Sequence, residues 1–429
     1  MLLLSEGVVF LIMVGVFMGA AFAFGLPIGI CLAISSLAGM LAGGAGFAVR
    51  HLVEGAFGYL NTILVIATAM MFMKGIQKSG LLDTVARWLI ETFHRSRALL
   101  LIGLTLLVMF PGMITGSSTA CVLTTGALVA PVLMHMGVPK IRTAAIIAMA
   151  AIYGMLAPPV NIPAMIIGGG IDMPYVGFTK PLLLATIPLA IIVSLFLGLP
   201  YMGKSKSLDD MRSSLPKSYA RKYGFKLYLP FIILVVLMAG PNLAPGRFPD
   251  LGMPLVFLIS AVIAVVTGKP VRMWSVAREA IHDALPVMGI LMGVGMFIQV
   301  MTLTGVRGWV VVGALSLPKA FLYLAMAISV PAFGAVSAFG SSSVLGVPFL
   351  LALLGTTNEI VAASGLTLLA GLGDLVPPTA LAGMFAAQIV DEDNYWLVLK
   401  DCLIPAIATA AWGVVMIRWA APIAKWILK

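Results

Sequence analysis

Two kinds of polar break interrupt otherwise apolar stretches of the chain, and each kind occurs once in each half. Gly116–Thr119 reads Gly-Ser-Ser-Thr, and Gly340–Ser343 reads Gly-Ser-Ser-Ser. A pair of prolines follows each motif, at Pro158-Pro159 and at Pro377-Pro378, and the two pairs are separated by nearly the same length of sequence as the two motifs. Glycine permits a turn with positive φ, and proline ends a helix because it donates no N–H. The pattern therefore predicts a repeat in which each half holds two interrupted helices.

Breaks of this kind could bind ions. An interrupted backbone at membrane depth is costly unless it lines a cavity, because lipid offers no partner to free amides and carbonyls. The N-termini of half-helices present N–H groups and a positive dipole to an anion, whereas unwound carbonyls and hydroxyls suit a hard cation such as sodium. We therefore expect ligands at both breaks: Thr115, Ser117, Ser118 and Thr119 at the first, and Ser337, Ser341, Ser342 and Ser343 at the second.

Two further side chains stand beside the proline pairs. Asp374 precedes Pro377-Pro378 and is the only acidic residue that we place deep within a predicted span. An intramembrane carboxylate marks a functional site by default, so we expect Asp374 to be a sodium ligand or a proton carrier. Asn161, just beyond Pro159, offers both a donor and an acceptor. The competing interpretations are close helix packing for the serines and a helix-end carboxylate at an aqueous vestibule for Asp374.

The composition is that of an integral membrane protein. Of the 429 residues, 61% are hydrophobic and 10% are charged, whereas soluble proteins carry about 25% charged residues. The net charge of +10 comes from basic residues in short loops, which favours the positive-inside pattern over nucleic-acid binding. The cysteines and histidines show no metal-ligand spacing and no Walker motif is present, so we expect neither a transition-metal site nor ATP hydrolysis.

The apolar runs are long enough for helices that cross a bilayer. We expect spans at 7–24, 28–41, 60–73, 181–201, 227–238, 253–267, 285–300 and 395–417. The two Gly-Ser breaks predict re-entrant hairpins over 98–137 and 321–354, and the proline pairs predict broken helices over 143–167 and 360–389. The amphipathic segments 81–93 and 271–282 are expected to lie in the membrane interface.

The polar segment Gly203–Lys226 sets the expected orientation. It is the only long polar stretch and it is rich in lysine and arginine, so we place it in the cytoplasm. Counting outward in both directions opens the first hairpin to the inside and the second to the outside, and puts both termini outside. The sequence therefore predicts an all-α polytopic membrane protein with two inverted-topology repeats, two re-entrant hairpins and two broken helices.

These residues resemble a known family. Gly116–Ala120 followed by Gly126 and Pro131 is similar to the first hairpin of the large membrane subunit of TRAP transporters, the tripartite ATP-independent periplasmic transporters. The other matching features are Gly25-Leu26-Pro27-Ile28, Gly154 before the first proline pair, the long basic loop, and Pro348 followed by the second proline pair. The chain departs from that family where Val160-Asn161 replaces a usual serine and Thr379-Ala380 replaces a usual glycine.

The resemblance implies a sodium-coupled elevator transporter in the bacterial inner membrane that imports an organic acid, such as a dicarboxylate or a sugar acid. A periplasmic binding protein would deliver the substrate, and a small four-helix membrane subunit would brace the scaffold. Carried over by motif, one sodium site comprises Gly116, Ser117, Ser118 and Gly154, and the other comprises Gly340, Ser341, Ser342 and Asp374. The expected substrate contacts are Ser118, Thr119, Asn161, Ser342, Ser343 and Thr379.

The resemblance also implies a division into a fixed scaffold and a moving transport domain. The scaffold would comprise helices and an inner arm in 1–97, a helix and the basic loop in 171–226, and helices and an outer arm in 227–320. The two halves of the transport domain would be 98–170 and 321–390, and 391–429 would form the C-terminal helix.

Several alternatives stay open at this stage. One is a stand-alone sodium- or proton-coupled carboxylate symporter, or a sodium/proton antiporter, of the same superfamily. A channel or a purely structural membrane subunit is a different class. An enzyme is the least expected class, because no nucleophile–base pair or metal constellation stands out.

Overall fold

The computed structural model describes residues 4–203, 216–244, 246–247 and 249–428, and the regular secondary structure of these residues is helical. Residues 204–215, half of the basic segment Gly203–Lys226 on which the expected orientation rests, lie outside the described part. The helices of the first half are α1 Glu6–Phe22, α2 Ile28–Ala42, α3 Val49–Phe57, α4 Leu60–Ser79, α5 Leu81–Phe93, α6 Arg97–Thr115, α7 Ser118–His135, α8 Lys140–Leu156, α9 Ile162–Gly169 and α10 Thr179–Gly198.

The second half is helical in the same way, after a short turn at Ala220–Tyr223 and a 3-10 segment at Gly224–Tyr228. Its helices are α11 Leu229–Leu243, α12 Gly252–Thr267, α13 Met273–Leu303, α14 Val306–Leu315, α15 Lys319–Gly334, α16 Ala338–Leu353, α17 Glu359–Gly371, α18 Leu381–Ile389, α19 Tyr395–Arg418 and α20 Ala420–Ile427.

Seven stretches of the described chain are helical, long enough and apolar enough to cross a bilayer, judged by length and composition. They are Leu60–Ser79, Arg97–Thr115, Ser118–His135, Thr179–Tyr201, Ala220–Pro241, Met273–Leu303 and Tyr395–Arg418. A chain with this many apolar helices is a multi-pass membrane protein, because such helices satisfy their own backbone hydrogen bonds within lipid.

Both predicted hairpins are present, and they repeat one another in detail. α6 and α7 form the first hairpin, and α15 and α16 form the second. The second arm of each carries a π-helical segment, Val122–Gly126 in α7 and Ser342–Gly346 in α16. In each hairpin a proline lies near the end of the first arm and a serine is the N-cap of the second arm. The two prolines, the two serines and the two π-helical segments are all separated by the same length of sequence. The two hairpins are therefore copies of one element.

The prediction that the second hairpin turns at Gly340–Ser343 is wrong. α15 ends at Gly334, and the chain turns before Ser337, which is the N-cap of α16. The structural counterpart of Ser117 is thus Ser337 rather than Ser341, so the sequence motif places the repeat about one helical turn too far along the chain. The Gly-Ser-Ser-Ser motif misled because its serines lie inside a helix. Ser342 and Ser343 donate to carbonyls one turn back, and Ser341 donates to the Val330 carbonyl on the first arm.

The two broken helices run antiparallel to each other. α8 begins at Lys140 beside the base of the first hairpin and its continuation α9 leads to Gly177, which packs against Ile360 at the start of α17. α17 and its continuation α18 lead back to Glu392, whose carboxylate lies 2.9 Å from Lys140 Nζ. Each broken helix therefore starts at the end of the molecule where the other finishes. This arrangement is the inverted topology that the sequence predicts.

Three helical features differ from the expectations. The segments 271–282 and 285–300 are not an interfacial arm and a separate span, because α13 runs unbroken over Met273–Leu303 and contains Pro286. The first turns of α13 carry charged residues, which in the sequence suggest a segment at the membrane interface. In the structure, Glu279 and Asp283 of these turns form ion pairs with lysines of α4. The helices α3 and α14 have no counterpart among the predicted elements. α5 has the expected bounds.

The apolar side chains form two buried cores. One core joins α6, α7, α8 and α10 to α17 and α19, through residues such as Val108, Tyr153 and Leu368. The other joins α1, α2, α4, α12 and α13, through residues such as Phe17 and Phe297. α10, which the sequence places in the scaffold, belongs to the first core. The hairpin tips and the breaks lie where the two cores meet.

Glycines let the hairpins approach the broken helices at contact distance. A Cβ on Gly154 would lie 2.5 Å from the Met109 carbonyl oxygen, and a Cβ on Gly373 would lie 2.5 Å from the Gly334 Cα. No side chain fits at such distances. Both contacts join the last two turns of a hairpin's first arm to a glycine that precedes a proline pair.

The substitution Gly154→Ala should destabilise the fold by about 1–3 kcal/mol, because the backbone of α6 must move to admit the methyl group. The matched control is Gly15→Ala, where an added Cβ meets nothing within 4 Å. Thermal unfolding in detergent should show a lower apparent Tm for the first variant alone. Equal melting of the two variants would mean that α6 and α8 are not in close contact.

Candidate functional site

A cavity of about 610 Å³ lies between the two hairpin tips and the helices of the second core. One wall belongs to the hairpins and breaks, and the opposite wall belongs to α2, α4 and α13. The hairpin wall comprises Ser117, Ser118, Thr119, Ala120, Leu123, Thr124, Met155, Val336, Ser337, Ala338, Phe339, Asp374, Thr379 and Leu381. The opposite wall comprises Ile28, Met70, Met73, Lys74, Gln77, Asp283, Pro286, Val287 and Ile290.

Two serine-capped helix N-termini open into this cavity. The Ser117 hydroxyl accepts a hydrogen bond from the Ala120 N–H at 3.2 Å, and the Ser337 hydroxyl accepts one from the Gly340 N–H at 3.1 Å. Serine is favoured at this position because it satisfies an amide that has no partner within the helix. Both caps line the cavity, so the positive ends of α7 and α16 face the same space.

Gly116 makes the first turn possible. Its φ is +65°, and a Cβ there would lie 2.5 Å from the Ile162 side chain. Any other residue would be strained by the backbone angle and would collide with the start of α9.

A hydrogen bond between Ser118 and Asp374 connects the two halves of the chain at the cavity. The Ser118 hydroxyl donates to Asp374 Oδ2, across 256 positions of sequence. Asp374 is only 5% exposed, so few water molecules can reach its carboxylate. A carboxylate in such surroundings requires hydrogen bonds or a cation to remain charged.

The two breaks have similar backbones but different side chains after the proline pair. Each contains a cis Pro-Pro bond, at Pro158-Pro159 and Pro377-Pro378. After the first, Asn161 is fully buried and caps α9 by accepting from the Ala164 N–H at 2.8 Å. After the second, Ala380 stands in the equivalent place with φ +37° and gives α18 no side-chain cap. The start of α18 opens instead onto the cavity, through Thr379 and Leu381.

The backbone conformation at Ala380 is one that glycine adopts more readily than alanine. Its φ lies in the left-handed region that favours glycine, and glycine is the residue usual in the family that the sequence resembles. Thr379 supports this bend, since its hydroxyl donates to the Ala335 carbonyl at 2.7 Å and its N–H donates to the same carbonyl at 3.3 Å.

The structure brings some predicted site residues to the cavity and leaves others out of it. Those that line it are Ser117, Ser118, Thr119, Ser337, Asp374 and Thr379. Those behind the wall are Thr115, Gly116, Gly154, Asn161, Gly340, Ser341, Ser342 and Ser343. The hydroxyls of this second group bond to nearby carbonyls: Thr115 to Pro111 at 2.8 Å, Ser341 to Val330 at 2.6 Å, Ser342 to Ala338 at 2.9 Å and Ser343 to Gly340 at 2.8 Å.

Sequence reasoning missed the charged residues of the opposite wall. Lys74 Nζ lies 2.6 Å from Asp283 Oδ2, and both residues line the cavity together with Gln77. The sequence alone favours a solvated position for Lys74 near the mouth of a span. The available signal was a lysine in a largely apolar helix, which usually needs a partner.

The donor set of the hairpin wall suits a hard cation and an anion side by side. Hydroxyl and carboxylate oxygens from Ser117, Ser118, Thr119 and Asp374 are ligand types that sodium accepts, and the helix N-termini favour a negative group. Among the described lining residues, the charged ones are Lys74, Asp283 and Asp374. With all three ionised, they leave one uncompensated negative charge.

Comparison with known proteins gives a family. A family model described as the tripartite ATP-independent periplasmic transporter, DctM component, matches residues 11–423. The fold is similar to that of the YdaH transporter of Alcanivorax borkumensis, with a TM-score of 0.60, 16% identity and 87% coverage of each chain. It is also similar to that of Neisseria gonorrhoeae MtrF, described with a class of antimetabolite efflux pumps, with a TM-score of 0.60 and 14% identity over 98% of this chain and 96% of that one. A search of curated protein sequences finds no match.

The bond between Ser118 and Asp374 should appear as an energetic coupling between the two halves. In a double-mutant cycle with Ser118→Ala and Asp374→Ala, we expect a coupling of about 1.5–3 kcal/mol in the free energy of unfolding, measured in detergent without sodium. The control cycle pairs Thr119→Ala with Asp374→Ala and should be additive within about 0.5 kcal/mol. Additivity in both cycles would contradict a direct contact.

Proposed function

The chain belongs to the family of DctM components of tripartite ATP-independent periplasmic transporters, and on that premise we propose that it is the large membrane subunit of a sodium-coupled importer of an organic anion. The observation that supports this best is the joint presence of Asp374, the hydroxyls of Ser117 and Ser118, and two helix N-termini around one cavity. These groups provide for a cation and for an anion in the same space.

The charge of the cavity gives a physical reason for coupling. The ion pair of Lys74 and Asp283 is neutral, so the ionised Asp374 leaves the empty cavity negative and unfavourable to an anion. Sodium bound at the hydroxyls and the Asp374 carboxylate would remove that barrier. The anion would then bind after the cation, which is the thermodynamic basis of symport in this proposal.

The substrate contacts in this proposal are Ser118, Thr119 and Thr379, together with the amides at the starts of α7, α16 and α18. Hydroxyls and amides bind a carboxylate and also the hydroxyl groups of a sugar acid or a hydroxy acid. A dicarboxylate or a sugar acid such as sialic acid is therefore the substrate class that we propose. Ser342, Ser343 and Asn161, expected as contacts from the sequence, would support the tips from behind.

The mechanism in this proposal is an elevator. The hairpins and broken helices would move as one body against the core that contains α4 and α13, and the cavity at their boundary would carry the substrate. A periplasmic binding protein would deliver the substrate, and a small four-helix membrane subunit would brace the scaffold of this chain in the bacterial inner membrane. The family supports these partners by its name, since its members act in three parts.

The deciding experiment is uptake into proteoliposomes with an inward sodium gradient, measured with a panel of radiolabelled organic acids. It is run with and without the candidate binding protein and small membrane subunit. Uptake that needs sodium and both partners supports the proposal and identifies the substrate class. Uptake by the single chain would favour a stand-alone symporter, and ionic current without coupled uptake would favour a channel.

Asp374→Asn should abolish the sodium dependence of uptake and lower the rate at least tenfold, because the amide keeps the shape of the carboxylate and loses its charge. The matched control is Asp250→Asn, since Asp250 is exposed in a loop and an amide oxygen can still accept from the Gly252 N–H. Reconstitution levels and melting temperatures should match the wild type. Unchanged sodium dependence in Asp374→Asn would reject its role as a sodium ligand.

A further inference from the structure

The wall opposite the hairpin tips carries an ammonium group that faces the same cavity. Lys74 lies on α4 and is the only basic residue among the described residues that line the cavity. Its side chain is 24% exposed, so it is neither buried in the core nor free in bulk water. An anionic substrate that reaches the tips must pass or occupy the space in front of it.

Lys74 forms an ion pair with a carboxylate of the protein, and a carboxylate of the substrate could pair with its ammonium group in the same way. Its Nζ lies 2.6 Å from Asp283 Oδ2 on α13, and the Asp283 side chain is 42% exposed. An ion pair with this exposure is weak, because water competes for both groups. A second carboxylate can therefore replace Asp283 at the ammonium at little cost.

One turn further along the same helices stands a second pair, Lys78 with Glu279, which is supported by the Ser275 hydroxyl. The two pairs form a short ladder between α4 and α13, since the helices run antiparallel. Neither Lys78 nor Glu279 lines the cavity. The pair of Lys78 and Glu279 can hold the two helices together, whereas the pair of Lys74 and Asp283 lies where an ion in the cavity would contact it.

We propose that Lys74 is a substrate-binding residue, which pairs with a carboxylate of the anionic substrate while Asp283 occupies its place in the absence of substrate. This inference rests on the proposed function and adds a contact from the wall opposite the tips. A lysine is a point charge with three donors, so it recognises a carboxylate without fixing the shape of the rest of the molecule. Selectivity for a particular acid would then depend on the hairpin tips.

The exchange of partners at Lys74 leaves Asp283 without its counter-charge. When a substrate carboxylate pairs with Lys74, Asp283 is released and its negative charge is no longer compensated. Asp283 is exposed enough to be solvated in the cavity, so the release is tolerated. Asp283→Asn should remove the competitor and leave Lys74 free, which tightens the binding of a carboxylate.

The first test measures the electrostatic potential of the cavity without transport. Leu123 lines the cavity and is 51% exposed, whereas the native residues Cys31, Cys121 and Cys402 are buried. A cysteine at Leu123→Cys is labelled with a negative reagent, sulfonatoethyl methanethiosulfonate, and a positive one, trimethylammonium-ethyl methanethiosulfonate. The ratio of the two rates reports the local potential.

In that assay, Lys74→Gln should lower the ratio of negative to positive labelling roughly fivefold or more, because loss of one charge acts on the two reagents in opposite directions. Asp283→Asn should raise the ratio. The matched control is Lys78→Gln, the same change one turn away and outside the cavity, which should leave the ratio within about twofold. Equal effects of the Lys74 and Lys78 variants would overturn the placement of Lys74.

The second test uses uptake of the organic acid that the panel identifies. Lys74→Gln should raise KM at least tenfold with less effect on the maximal rate, Lys74→Arg should keep most of the affinity, and Asp283→Asn should lower KM. An unchanged KM in Lys74→Gln would overturn the inference while leaving the proposed function intact. Absence of uptake by the wild type would reject the proposed function, and the labelling ratios would still report whether Lys74 governs the potential of the cavity.

Discussion

The bond between Ser118 and Asp374 is the interaction on which the site depends. It joins the tip of the first hairpin to the second broken helix, and it places a carboxylate that is only 5% exposed at the meeting point of two helix N-termini. The close glycine contacts of Gly154 and Gly373 exist on either side of it, and they bring hairpins and breaks within reach of each other. A carboxylate so placed requires hydrogen bonds or a counter-charge to remain ionised, and this requirement is the basis of our proposal that Asp374 binds a cation.

The two halves share their backbone elements, and they differ in the side chains that these elements carry at the cavity. Both halves contain a serine-capped hairpin, a π-helical turn and a cis Pro-Pro break. The residues that follow the paired glycines differ, since Met155 stands in the first half where Asp374 stands in the second. Asn161 closes one half-helix, whereas Ala380 leaves the other open to the cavity. An inverted repeat with identical chemistry in both halves would have no preferred place for a single anion.

Much of this could be predicted from the sequence, because the signals were local. Proline pairs and the Gly116 turn have strong backbone preferences, so the first hairpin and both breaks lie where they were expected. The second hairpin turn was misplaced because Ser341, Ser342 and Ser343 look polar in sequence, yet each satisfies itself with a carbonyl in its own hairpin. The continuity of α13 and the role of Lys74 could not be seen locally. Lys74 and the charged first turns of α13 form ion pairs with partners that are distant in sequence, and such partners leave no local signal.

We propose that the cavity binds sodium through Asp374 and that the bound cation admits an organic anion. Equilibrium binding of ²²Na⁺ to the purified chain tests it most directly, with the Asp374→Asn variant and a panel of organic acids in the same assay. We expect saturable binding of sodium to the wild type, weaker binding to the variant, and tighter binding in the presence of the transported acid. Saturable binding that is the same in both proteins and unaffected by any acid would contradict it.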